Sequence, residues 1–212
     1  MRKLVVPLYL QAPKSVDCGP VCVRMVLSYF GIRRSLAFLQ KKLHYDKTGT
    51  SSYDNGALLL DEGLRVTAVT ANPMLFPPDI VRSLKNKKHL QELITKKSKT
   101  TPKYKKCLKT LEKFLEKGGN LIIEIPNAKH VRAAIDAKRP IIALLYGKAM
   151  GSNEGTFHFV VVTGYDGKHV FINNPYPKSK RQWKCPMDTF LYAVHSSSVG
   201  YIDNATLLII SK

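Results

Sequence analysis

The chain has 212 residues, of which 44% are hydrophobic and 23% are charged, and this composition is typical of one globular domain with a sizeable core. No apolar stretch approaches the roughly 20 residues of a membrane-spanning helix, so we predict no membrane span. Lysine and arginine outnumber aspartate and glutamate by 34 to 15, and the four cysteines are too few for a disulfide scaffold. We therefore expect a single domain over residues 1–212 in a reducing, cytoplasmic setting.

The first third of the chain predicts a strand followed by helices. Val5–Leu10 resembles the apolar part of a signal peptide, but it is short and contains a proline, so we predict a strand of the mature fold. Pro20–Phe30 is predicted to be a helix, because proline is favoured in a first helical turn and glycine, here Gly31, just after a last one. Two further helices are predicted, at Ser35–Leu43 and Asp54–Glu62.

A lysine-rich block, Lys85–Lys117, carries twelve lysines against three glutamates. A break near Thr100–Pro102 predicts two helices, and helical apolar spacing from Leu108 to Leu115 predicts that the second one covers part of a core. We interpret the block as a Lys-rich helical insertion at about 79–118 with a solvated surface. Nucleic acid, anionic lipid and acidic proteins are the alternative partners. Aromatic residues are sparse there, so we expect only weak, non-specific contact with polyanions.

The rest of the chain is predicted to be rich in strands. Runs of β-branched residues on both sides of Asp166–Gly167 predict a hairpin. Helices come mainly first and an antiparallel sheet mainly last, which predicts an α+β layered fold. The other predicted elements are strands at Arg65–Thr70, Asn120–Ile125, Pro140–Tyr146 and Ala205–Ile210 and a helix at Ala128–Ala137.

Cys18 has the local setting of a nucleophile. It precedes the helix that Pro20 opens, where free N–H groups and the helix dipole favour a thiolate and can donate to an oxyanion. Gly19 would let a substrate backbone approach closely. The alternative is a buried structural thiol, the usual state of a free cysteine, and we assign that state to Cys22. The spacing of these two cysteines, with no matching pair elsewhere, does not predict a metal site, and we predict no cofactor.

His158 is the candidate base among six histidines. A turn centred on Asp166–Gly167 makes paired residue numbers sum to about 333, which places His158 opposite Pro175 and beside Asn173 and Asn174. An amide that accepts from an imidazole N–H fixes the tautomer of a general base. Because one residue of register exchanges the two asparagines, the sequence leaves open which of them shares the face of His158.

Three ordered stretches resemble the bacteriocin-processing type of papain-like cysteine peptidase. They are Gln11 with the DCGP of residues 17–20 and its apolar helix, the HFVVVTGYD of residues 158–166, and the INNP of residues 172–175. The resemblance implies a papain-like fold, in which an N-terminal helical part with the nucleophile helix packs on a C-terminal antiparallel sheet.

The resemblance also implies a role for each matching residue. Cys18 would be the nucleophile, His158 the base and Gln11 a donor to the oxyanion, while Asn174 would orient His158. Two positions depart from the family, which usually has Asp where Asn174 stands. Gln11 also lies one residue farther from its cysteine than in the transporter-linked members. Because the sequence has no transmembrane or nucleotide-binding part, we expect a stand-alone domain.

We therefore predict a cysteine peptidase or amide hydrolase that acts on a peptide or protein substrate. One alternative is a non-catalytic module on the same fold that binds a peptide or a polyanion. Another is an acyltransferase with the same residues, which would differ only in the nucleophile that reaches the acyl-enzyme.

Overall fold

The computed structural model describes residues 1–43, 45, 49–72, 75–76, 87–150, 156–176, 182–198 and 205–212. Within these ranges the chain forms seven helices, two short 3₁₀ turns and eight strands. The helices are α1 (Cys18–Tyr29), α2 (Leu36–Leu43), α3 (Ser52–Asp61), α4 (Lys87–Thr100), α5 (Lys105–Glu116), α6 (Ala128–Asp136) and α7 (Met187–His195). The strands are β1 (Arg2–Lys3), β2 (Arg65–Ala71), β3 (Asn120–Ile123), β4 (Ile141–Tyr146), β5 (Phe157–Asp166), β6 (His169–Asn173), β7 (Gln182–Pro186) and β8 (Ala205–Ser211).

The strands form one sheet in the order β3-β2-β8-β4-β5-β6-β7, and β1 pairs with β5 outside this path. The β2–β3 pair is parallel, and the other described pairs are antiparallel. The sheet draws on both halves of the chain, because β8 lies between β2 and β4. The predicted α+β fold, with the helix that begins at Cys18 packed on a mainly antiparallel sheet, is confirmed.

Helices cover both faces of this sheet. On one face, α1, α3 and α5 share a core with Leu144 and Phe159. On the other face, α6 and α7 share a core with Leu145 and Val160. Successive side chains of a strand point to opposite faces, so β4 and β5 must be apolar at almost every position to fill both cores.

The ends of α1 and the start of α3 are fixed by residues in their own sequences. Pro20 lies in the first turn, and the helix begins two residues before the predicted bound. Gly31 follows its end with φ +82°, a left-handed conformation that glycine adopts without strain. α3 has a capping box, in which Ser51 Oγ accepts the Asp54 N–H at 3.1 Å and the Asp54 carboxylate accepts the Ser51 N–H at 3.2 Å.

The hairpin of β5 and β6 differs in register from the prediction. Asp166 pairs with His169, so the turn is Gly167–Lys168 and not Asp166–Gly167. The Asp166 carboxylate accepts the His169 N–H at 3.2 Å and lies 2.9 Å from the Nζ of Lys184 on β7. These two contacts keep Asp166 in the strand. An irregularity between Val162 and Gly164 then shifts the pairing again. The predicted register was therefore wrong by one to two residues.

The strand predicted at Val5–Leu10 was wrong. Leu4 donates its N–H to Thr163 at 2.6 Å, and the segment then leaves β5. Val5 is 92% exposed, and Pro7 has no N–H with which to continue a ladder. The segment instead runs toward Gln11, whose backbone N–H donates to the Pro175 carbonyl at 2.9 Å.

The lysine-rich block forms the two predicted helices, α4 and α5, separated by a 3₁₀ turn at Pro102–Tyr104. Leu108 and Phe114 are fully buried, as their spacing predicts. Residues 79–86 of the predicted insertion lie outside the described residues. β7 and α7 were not predicted. No helix in the described ranges is long and apolar enough to cross a bilayer.

Candidate active site

Cys18 is the first residue of α1 and is half-buried. The backbone N–H groups of Phe159, Gly19 and Cys18 itself act to lower the pKa of its thiol. Phe159 is the neighbour of His158 on β5, so the thiol lies beside the strand position of the candidate base. The start of α1 and the start of β5 thus meet at Cys18.

The ionisation of Cys18 differs from the sequence-based expectation. Burial raises the pKa of the thiol above its ordinary value, and the negative charge of Asp17 raises it further. The N–H groups of Cys18 and Gly19 lower the pKa, as expected at a helix N-terminus, and so does that of Phe159 on β5, but burial outweighs all three. Cys18 therefore rests as a neutral thiol and needs a base to become a nucleophile.

His158 has the tautomer and charge of a base. Its Nε2 lies 2.7 Å from Asn174 Oδ1, and the same oxygen accepts the Tyr176 N–H at 2.9 Å. Because that atom accepts from a backbone N–H, it is the amide oxygen, and Nε2 must carry the imidazole proton. Burial lowers the pKa of His158, although the hydrogen bond to Asn174 opposes this change. The neutral ring therefore leaves Nδ1 free to accept a proton.

Asn174 and Asn173 have different partners. Asn174 lies just after β6, where the Asn-Pro-Tyr sequence closes a turn over its own side chain. Asn173 Nδ2 instead donates to the Val6 carbonyl at 2.9 Å. The Tyr176 ring meets the His158 ring edge-on, with centroids 5.9 Å apart. Sequence reasoning missed Tyr176, although the Asn-Pro pair that initiates such turns is a usable signal.

Gln11 is buried at the same end of the sheet. Its backbone N–H donates to the Pro175 carbonyl, and its Nε2 donates to the Ser15 carbonyl at 2.8 Å. Its Oε1 has no hydrogen-bond partner among the described residues. An amide nitrogen carries two hydrogens, so one N–H of Nε2 remains for a further acceptor.

Gly19 is needed for packing within the chain. A Cβ at this position would lie 2.1 Å from Thr50 Oγ1 and 2.8 Å from Asn55 Nδ2. Asn55 is fully buried and donates to Thr50 Oγ1 at 2.9 Å. The start of α3 therefore occupies the space over Gly19 that we expected a substrate backbone to use.

The other three cysteines, Cys22, Cys107 and Cys185, are free and buried. Burial raises the pKa of Cys22 well above its ordinary value and that of Cys185 to about 11. Within the described ranges, no group of three or more His, Cys, Asp and Glu side chains could hold a metal ion. Among the four cysteines, Cys18 is thus the one that is partly exposed and lies beside β5, the strand that carries His158.

Comparison with known proteins begins with a family model, described as "Peptidase C39 like family", which matches residues 3–193. No curated protein matches the chain. A solved C39-like peptidase from Bacillus anthracis is 14% identical, with 100% of this chain and 98% of that chain covered and a TM-score of 0.57. A double glycine motif protease from an AMS/PCAT transporter, solved in complex with the leader peptide, is 17% identical, with 99% and 93% covered and a TM-score of 0.52.

The peptidase domain of Streptococcus ComA, a bi-functional ABC transporter involved in quorum sensing, is 15% identical, with 100% of this chain and 98% of that chain covered and a TM-score of 0.52. These likenesses extend over whole domains and establish the fold, as the resemblance in the sequence implied. The family model covers most of the chain, so this protein belongs to the Peptidase C39 like family and has the papain-like peptidase fold.

Proposed function

We propose that the protein is a cysteine peptidase in which Cys18 is the nucleophile and His158 the general base. Asn174 orients the imidazole, and Gln11 binds the oxyanion together with the Cys18 N–H. Membership of a peptidase family supports hydrolysis of peptide bonds. The observation that carries the assignment is the 2.7 Å hydrogen bond between His158 and Asn174. It lies next to the backbone N–H of Phe159, which acts to lower the pKa of the Cys18 thiol.

The first step converts a neutral pair into a tetrahedral intermediate. His158 Nδ1 takes the thiol proton while the Cys18 sulfur attacks the substrate carbonyl carbon, and the carbonyl oxygen becomes an anion. The remaining N–H of Gln11 Nε2 and the N–H at the start of α1 donate to that anion. The imidazolium keeps its Nε2–H on Asn174 Oδ1, which holds the ring in place.

The second step breaks the C–N bond. The imidazolium gives its proton to the leaving amine, which departs and leaves a thioester on Cys18. His158 then takes a proton from water, the hydroxide attacks the thioester, and the thiolate is released and reprotonated. An amine in place of water would give acyl transfer instead, so the ratio of the two products separates a hydrolase from a transferase.

The substrate class follows by analogy. One structurally similar protein is a double glycine motif protease solved with a leader peptide. We propose that this chain also cleaves after two glycines at the end of a peptide leader.

The function is tested by incubating the purified protein with a synthetic peptide that contains a Gly-Gly site, followed by mass spectrometry of the products. We expect cleavage after the second glycine, no cleavage by a Cys18→Ala variant, and normal cleavage by a Cys107→Ala control, because Cys107 is buried in α5. Cleavage of other peptides but not of Gly-Gly would contradict the substrate class alone. Binding of peptides without turnover would contradict the proposed peptidase and favour a binding module.

A further inference from the structure

Asp17, the residue before Cys18, has a buried carboxylate that the mechanism above does not use. It is 8% exposed. Gln40 Nε2 donates to its Oδ1 at 3.0 Å, and the hydroxyl of Tyr45 donates to the same oxygen. Burial of a charge is costly unless hydrogen bonds compensate it, so these two donors are part of what keeps the carboxylate in place.

Asp17 remains ionised in this environment. Burial acts to raise the pKa of the carboxyl, but hydrogen bonds from Tyr45, Gln40 and Ser15 outweigh it and hold the pKa below its ordinary value. Burial and the contact with Asp17 raise the pKa of Tyr45, so its hydroxyl stays protonated and remains a donor. The pair is therefore a carboxylate with a neutral phenol.

The direction of this carboxylate is unusual for its place in the chain. Asp17 occupies the N-cap position of α1, where an aspartate normally accepts N–H groups of the first turn. Here the side chain makes no hydrogen bond to the helix start. It points to α2 and to Tyr45 instead, while the N–H groups of Cys18 and Gly19 act to lower the pKa of the Cys18 thiol.

We propose that Asp17 is a positioning residue of the cysteine site. Gln40 and Tyr45 hold its carboxylate away from the first turn of α1, which leaves the N–H groups there open to the thiol and the oxyanion and places a fixed negative charge beside Cys18. This inference rests on the proposed cysteine chemistry. It adds two residues, Gln40 and Tyr45, whose effect on the reaction is exerted through Asp17.

Among the described residues, other charged groups near the start of α1 do not replace this charge. His158 on β5 is neutral because burial lowers its pKa, and Cys22 is a buried thiol. Asp54 at the start of α3 is engaged in the capping box with Ser51. The lysines in the last turn of α2 are exposed. Within the described part of the chain, Asp17 is thus the buried carboxylate that acts on Cys18.

The test compares the pH profile of Cys18 alkylation by iodoacetamide in the intact wild-type protein and three variants. Asp17→Asn removes the charge, so the midpoint should fall by about 0.5 unit and the rate below the midpoint should rise about threefold. Tyr45→Phe frees the carboxylate to cap α1, so the midpoint should rise by a similar amount. Asp61→Asn, at the far end of α3, is the matched control and should leave the profile unchanged.

Opposite shifts in the two variants are the expected result, because a merely structural role would change the melting temperature and leave both midpoints in place. Unmoved midpoints, or shifts in the same direction, would overturn the inference. If circular dichroism shows that Asp17→Asn does not fold, the upward shift in Tyr45→Phe decides alone. A wild-type Cys18 that reacts no faster than the buried cysteines would contradict the proposed function itself, whereas a reactive Cys18 with unmoved midpoints contradicts only the role of Asp17.

Discussion

The cysteine site and the lysine-rich helices differ in how their polar groups are held. At the site, His158 and Asp17 each have a hydrogen-bond partner in another part of the chain, Asn174 at 2.7 Å and Gln40 at 3.0 Å. On α4 and α5, by contrast, Lys96 and Lys109 extend into solvent. Fixed hydrogen-bond partners restrict a side chain to one geometry, which catalysis requires. Exposed lysines on a surface instead contribute only an electrostatic potential, which does not depend on one exact geometry.

The apolar side of the lysine-rich block anchors it to the core. Leu111 and Phe114 are fully buried against the core. α4 and α5 are also joined by a hydrogen bond from Thr95 to Glu112 at 2.6 Å. The two regions should therefore respond very differently to substitution, since the cysteine site depends on the exact positions of its side chains and the lysine-rich block on its net charge.

The largest expected effect is at the nucleophile. Cys18→Ser keeps the shape of the side chain but replaces the thiol with a hydroxyl that His158 cannot activate as well, so cleavage should fall by about four orders of magnitude or more. Initial rates measured by chromatography of the peptide products would show it. A Cys185→Ser control should keep wild-type activity, and a Cys18→Ser protein that keeps more than about a tenth of it would end the assignment.

A smaller loss is expected at the oxyanion donor. Gln11→Ala removes one hydrogen-bond donor to the anion, and such removals cost about a hundredfold to a thousandfold in kcat. The KM should change little, because the bond strengthens only in the transition state. Steady-state kinetics would separate the two constants. A change confined to KM would instead make Gln11 a substrate-binding residue.

Asn174 should show a graded response. Asn174→Asp should preserve or raise activity, because a carboxylate also accepts from Nε2–H and stabilises the imidazolium. Asn174→Ala leaves the ring free to rotate and should cost about a hundredfold in kcat. Asn173→Ala is the control, since its Nδ2 bonds to Val6 and not to His158. Loss of activity in the control with a normal Asn174→Ala protein would reverse the assignment of the two residues.

The smallest effect on chemistry is expected from the lysines. Reversal of Lys96, Lys99, Lys105 and Lys109 to Glu should leave cleavage of a short uncharged peptide within about twofold, because these side chains are exposed and lie outside the site. Retention on heparin, which we propose to be weak and salt-dependent, should disappear. Wild-type protein that is not retained at about 0.15 M salt would mean that the block is only a solvated surface.

The candidate site was predictable where its signals are local. The helix at Pro20–Phe30 carries its own start and stop residues, and the hairpin brings His158 near Asn174 whichever register it adopts. The choice between Asn173 and Asn174 was not predictable, because it depends on the irregularity between Val162 and Gly164. Gly164 is the kind of residue that marks a bulge inside a strand, but it does not fix how far the pairing shifts.

Long-range pairing explains the rest of what the sequence left unknown. The placement of β8 between β2 and β4 joins residues far apart in the chain, which periodicity cannot reveal. The raised pKa of Cys18 has a similar origin, because it comes from burial under other elements and not from the helix start. α7 was predictable in principle, since Met187, Phe190 and Val194 have helical spacing after Pro186.

The central claim is that His158 activates Cys18, and cysteine-specific labelling with peptide mapping tests it most directly. At about pH 7, a thiol whose pKa is raised by burial reacts slowly unless a base takes its proton. The pKa of His158 is lowered, so its neutral form persists as the pH falls, and assistance is lost only below that lowered pKa. We predict that Cys18 is labelled far faster than the other three cysteines, that His158→Ala slows this labelling by at least about tenfold, and that a His195→Ala control does not. Equal, slow labelling of all four cysteines, or an unchanged rate in His158→Ala, would contradict the account.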